Sequence, residues 1–100
     1  MALPPFLAAV EQNDPVLAKA IEPLYAAAMG SGALDQKTKA LISMALDATH
    51  GAARGVESLS NQARRAGATE AEITETIRIA YVIAGMSTLL TGQNAFPRKE

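Results

Sequence analysis

The run that most constrains this chain begins Thr69-Glu70-Ala71-Glu72 and continues directly into Ile73. It is a capping box: the Thr69 hydroxyl can accept from the Glu72 amide while the Glu72 carboxylate returns to the Thr69 amide, so two backbone donors that a helix start leaves open are both satisfied. The helix launched there is apolar on more than one side. Ile73, Ile77, Tyr81 and Ala84 make one stripe, and Ile79, Val82, Ile83 and Met86 make another. A helix that is apolar nearly all round has to lie at the centre of a domain or between subunits. Gly85 is expected to weaken its end, with residues 87–94 forming one last short helix.

The rest of the sequence is punctuated in the same way. After a short helical segment around residues 5–11, Asp14 is placed to cap a helix whose first position is Pro15, where a missing N–H costs nothing. That helix is expected to reach about Met29 on a stripe of Leu17, Ile21, Leu24 and Ala28 with Tyr25 beside it. Pro23 predicts a kink or break, and Gly30-Ser31-Gly32 stops it. Asp35 caps the next helix, with Leu41, Ile42, Ala45, Leu46 and Thr49 as its expected buried face and His50-Gly51 as its end. A helix over residues 52–66 places Ala52, Val56, Leu59, Ala63 and Ala66 opposite Arg54, Glu57, Asn61 and Arg64, and Gly67 suits the left-handed position after it. No stretch alternates with the period of a strand, so the class is all-α, a compact single domain of five to six helices over residues 1–100.

Composition narrows the function by exclusion. There is no cysteine, which removes disulfides, thiolate metal sites and every thiol-based peroxidase mechanism, because the thiolate is the attacking species in these. A net charge of -1 gives no basic face for nucleic acid, and Lys37, Lys39, Arg64 and Arg65 read as solvated helix surface. The N-terminal residues lack a basic segment ahead of an apolar one, and no later run is expected to reach the length of a membrane span; a cytoplasmic protein with no membrane partner is the expectation. No set of side chains stands at a metal-ligand or phosphate-loop spacing, so no cofactor or metal is implied.

Few residues could do chemistry. His50, the single histidine, could act as acid or base, work that suits an imidazole as a side-chain type; equally, a histidine in a last turn favours the negative end of its helix. Arg54 could anchor a carboxylate through two parallel hydrogen bonds, or simply pair with Glu57 one turn on, where an exposed pair is worth roughly half a kcal/mol. Ser58 and Ser60 have only His50 as a conceivable base. Met44 and Met86 read as adaptable core filler or as the lining of a small space.

Three segments in order, LDQKTKALI at residues 34–42, RRAGATEAEI at 64–73 and GMSTLLTGQNAF at 85–96, resemble the carboxymuconolactone decarboxylase family with its alkyl hydroperoxide reductase D-like branch. Aligned on Gly67, the redox branch would place its two cysteines at Ala52 and Gly55, a histidine at Leu59 and a glutamate at Ala40. All four are replaced here. The decarboxylase branch also keeps a histidine where this chain has Leu59, and an enclosed Leu there would contribute roughly 1.5 to 3 kcal/mol of apolar burial.

The resemblance implies a helical hairpin around the ancestral site, a central helix from Thr69, and assembly as a trimer or hexamer. Two functions are then open. In one, the protein is a non-redox, oligomeric member that binds a small molecule or is catalytically silent, with Ala40, Met44, Ala52, Gly55 and Leu59 lining the old pocket. In the other, it is a cofactor-free decarboxylase or isomerase acting on a small carboxylated metabolite, with His50 as acid–base and Arg54 as anchor.

Overall fold

Three side chains that the sequence marks as helix caps act as caps in the structure, a computed structural model in which residues 4–98 are described. Asp14 accepts from the Leu17 amide at 3.0 Å, Asp35 from the Thr38 amide at 2.7 Å, and Thr69 from the Glu72 amide at 3.1 Å, while Glu72 returns to the Thr69 amide at 2.8 Å. Each cap starts a helix: α2 (Pro15–Met29), α3 (Gln36–Thr49) and α5 (Glu70–Gly92); α1 (Ala8–Asn13) and α4 (Ala53–Arg65) complete the set. Single 3₁₀ turns occupy Pro5–Leu7 and Gln93–Ala95, and no strand occurs among the described residues. The class is all-α, as expected.

The chain divides into two units at Leu34/Asp35. In the first, α1 packs on α2, and among the described residues Ala18 is the one that is buried. The expected stripe of α2 is rotated by about one residue: Leu17 and Leu24 are exposed, while Ala18, Ile21, Tyr25 and Met29 turn inward. Pro23 does not break α2, which runs through it to Met29. Its locked φ suits a helix, and the cost is the one amide it cannot donate.

In the second unit, α3 and α4 form a tight antiparallel hairpin on which α5 packs through α3. Both hairpin helices end in the same motif, with glycine in the left-handed region. Gly51 (φ 72°) donates to Ala48 and Ala52 donates to Asp47; Gly67 (φ 102°) donates to Arg64 and Ala68 donates to Ala63. These double bonds satisfy carbonyls that a helix end leaves open. The core between the helices is Ala40, Met44, Ala63, Ala68 and Ile73, with Leu41, Val56 and Leu59 packed against it.

Four expectations are corrected here. The inner face of α3 is Ala40 and Met44; Ile42, Leu46 and Thr49 face outward. Small side chains let α3 and α4 approach closely, so the buried seam follows the alanines rather than the bulkiest residues. Gly85 does not end the last helix, which continues as α5 to Gly92. Nor is α5 enclosed: only Ile73 and Ala80 of it are buried, and its two apolar stripes are open in the single chain. Residues Glu70–Ala95 are moreover long and apolar enough to cross a membrane by length and composition alone, contrary to the expectation that no such run occurs.

Candidate functional site

The positions matched to the family's redox residues lie along the α3–α4 hairpin. Ala40 and Met44 on α3 are buried in the core cluster, Met44 completely, and Leu59 of α4 packs on them. Ala52 is the residue that begins α4, half-buried, with its amide bonded to the Asp47 carbonyl at 2.9 Å. Gly55 sits one turn further on, directly beneath the Asp47 carboxylate, which occupies the space that a Cβ at position 55 would need. Apolar side chains thus fill the Ala40–Leu59 end of this seam, and a carboxylate covers Gly55.

His50 ends α3 on the surface. Its Nδ1 lies 2.7 Å from the Leu46 carbonyl, a contact in which the ring nitrogen must donate, and its own amide reaches the same carbonyl at 3.2 Å. Thr49 Oγ1 donates to that carbonyl at 2.8 Å. This is the geometry of a helix terminus closed by its last side chains, and it leaves Nε2 as the ring atom open to proton transfer. Arg54 is exposed on α4. The expected Arg54–Glu57 ion pair is not formed: the ion pairs among the described residues are Lys37–Glu72 and Arg64–Glu70. Among the described residues no hydrogen bond or ion pair joins Arg54 to His50.

Those two pairs correct the reading of Lys37 and Arg64 as merely solvated. Lys37 Nζ reaches Glu72 Oε2 at 2.9 Å, and Arg64 grips Glu70 with Nε at 2.8 Å and Nη2 at 2.9 Å. Both carboxylates lie in the first turn of α5, where negative charge also suits the helix dipole. Through them α3 and α4 each hold the start of α5. Glu72 is kept below the usual carboxylate range by the Thr69 amide and then by Lys37, and Glu70 by the Arg64 guanidinium. Lys37 is correspondingly raised by its bond to Glu72.

A concavity of the second unit lies in a different place from the ancestral seam. It is an open groove of about 580 Å³ between the end of α3 and the middle of α5, with Ala48 and Thr49 on one side and Ala80, Ala84 and Gly85 along its floor. Ile77, Tyr81, Thr88 and Leu89 rim it. Thr49 and Thr88 direct their hydroxyl protons to their own helices, at Leu46 and Ala84, so the groove is apolar with few polar tips. Its signal in the sequence was the recurrence of small residues at positions 80, 84, 85 and 88, one side of a helix; reading large side chains as the informative ones hid it. Among the described residues no cluster of His, Asp or Glu could hold a metal ion.

Compared with known families, residues 15–96 match the one described as "Carboxymuconolactone decarboxylase family". No curated protein and no solved structure matches. The match spans α2 to the end of the last turn, including both hairpin helices, both terminating glycines and the capping box. The chain belongs to the carboxymuconolactone decarboxylase family.

Proposed function

We propose that this chain is a non-redox, oligomeric member of the family, catalytically silent at the place where redox relatives carry their cysteines. The observation that carries the reading is the filled seam: Ala40, fully buried Met44 and Leu59 pack together where a proton relay would need polar groups and room. A buried acid or base there would need hydrogen-bond partners that these side chains do not offer. The absence of any cysteine removes the other half of that chemistry.

Self-association is supported by α5, whose large apolar side chains from Ile77 to Leu90 are all about half exposed or more in the single chain. Exposed patches of this size mark surfaces that something covers. A trimer or a hexamer is the expected assembly, working in the cytoplasm; a small apolar guest, if one is retained, would lie in such a covered space.

Native mass spectrometry of protein purified without added ligand tests both parts. An oligomer of bare subunits supports a silent member, and a reproducible adduct on the oligomer supports small-molecule binding. A stable monomer at micromolar concentration removes the reading. Steady consumption of peroxide with a dithiol donor would remove its non-redox half.

A further inference from the structure

The groove between the end of α3 and the middle of α5 is selective in its polar atoms. Ala80, Ala84 and Gly85 give it a floor without bulk, and a Cβ added at Gly85 would meet nothing within 4 Å. From Ala80 to Thr88 the floor extends about 12 Å along α5, at 1.5 Å per residue. Its volume of about 580 Å³ lies within the range of small-molecule sites.

None of the side chains that line it is charged. Its two threonine hydroxyls already have a use for their protons: Thr49 Oγ1 donates to the Leu46 carbonyl at 2.8 Å, and Thr88 Oγ1 to the Ala84 carbonyl at 3.0 Å. A hydroxyl has one proton and two lone pairs, so each Oγ1 offers a guest only an acceptor. Tyr81 on the rim is 78% exposed, and its O–H can turn to either role, so it does not discriminate.

We infer that this groove takes a small neutral alcohol, its hydrocarbon body on the alanine floor and its O–H donating to Thr49 or Thr88. This rests on the small-molecule half of the function proposed above and names the chemistry of the guest. A carboxylate fits poorly, because it would leave water with no cation in the lining to meet it. An ether or ketone oxygen would face the threonine lone pairs, or make a threonine give up its bond to the helix. A bare hydrocarbon would cover both acceptors and give them nothing in return.

Three eight-carbon probes test this on the full chain: octan-1-ol, its isomer heptyl methyl ether, and octanoate. Titrations followed through the methyl resonances of Ala80, Ala84 and Thr88 read binding at the groove itself. Octan-1-ol is expected to bind roughly three- to tenfold more tightly than the ether, the worth of one ordinary net hydrogen bond, with octanoate the weakest of the three. An ether or an octanoate that binds as tightly as the alcohol would overturn the inference. So would groove methyls that no probe moves, or equal movement of Ile83 and Leu90 on another side of α5.

Substitution gives a second readout. Thr49→Val with Thr88→Val keeps the shape of the groove and removes its acceptors. In this double variant the advantage of the alcohol over the ether is expected to vanish while the ether binds as before, which shows that the groove has kept its form; an advantage that persists sinks the inference. Light scattering reads assembly separately. A monomer whose groove takes octan-1-ol overturns the oligomeric reading and leaves this inference standing, whereas an oligomer with an unresponsive groove does the reverse.

Discussion

At the residue scale, Met44 holds the second unit together, because among the described residues it is the one large side chain with no exposure at all. Met44→Ala should cost about 2 to 5 kcal/mol, as removing a buried long side chain leaves both a lost transfer energy and a cavity. A urea titration checks this, and a change below half a kcal/mol would mean that the seam collapses around the gap. The same residues decide whether the lost chemistry can be put back. In an Ala52→Cys/Gly55→Cys variant the second thiol would lie against the Asp47 carboxylate, which disfavours a thiolate, and Leu59 supplies no proton acceptor. Peroxide reduction with a dithiol donor should therefore be no faster than by a small free thiol; multiple rapid turnovers would show that the scaffold still holds a working site. The caps at Asp14, Asp35 and Thr69 were legible in the sequence because a cap is decided by residues three positions apart. Arg54 was not, because whether an exposed Arg pairs with the Glu57 one turn away depends on rotamers that spacing does not set.

At the scale of elements, the first turn of α5 is the joint of the second unit, and its two carboxylates make that joint sensitive to acid. Glu70 and Glu72 are both held below their ordinary value of 4.5. A depressed folded value means that their contribution is complete above the unfolded value and is lost as pH falls through the folded one. The denaturation midpoint should therefore drop as pH is lowered below about 4.5, and Glu70→Gln with Glu72→Gln should flatten that part of the profile. Unchanged acid sensitivity in the double variant would assign it elsewhere, Asp35 being the next candidate because the Thr38 amide lowers it too. Element existence and ends were readable from caps and glycines, whereas faces were less so. On α3 the bulky residues pointed to Leu41, Ile42 and Leu46, yet helices meet most closely over alanine, and Ala40 and Met44 form the seam. On α5, Gly85 suggested an end, but a single glycine costs only about 1 kcal/mol, too little to stop a helix of this length.

For the whole molecule, the family and the all-α class were legible, since the capping box, the two terminating glycines and the GMSTLLTGQNAF segment survive although the redox residues do not. What covers α5 was legible only as a choice between the centre of a domain and a subunit boundary, and the single chain leaves both stripes open. If copies cover them, folding and association are one equilibrium, and the thermal midpoint should rise with protein concentration by mass action. A midpoint unchanged over a hundredfold dilution would mean a self-sufficient monomer. The uncharged stretch between Arg78 and Arg98 adds a consequence for temperature. A contact made almost wholly of hydrocarbon is driven by the release of water, a force that weakens on cooling and strengthens in sulfate. Such an assembly should be cold-labile, coming apart on ice and re-forming on warming, and light scattering through one cooling cycle would reveal it.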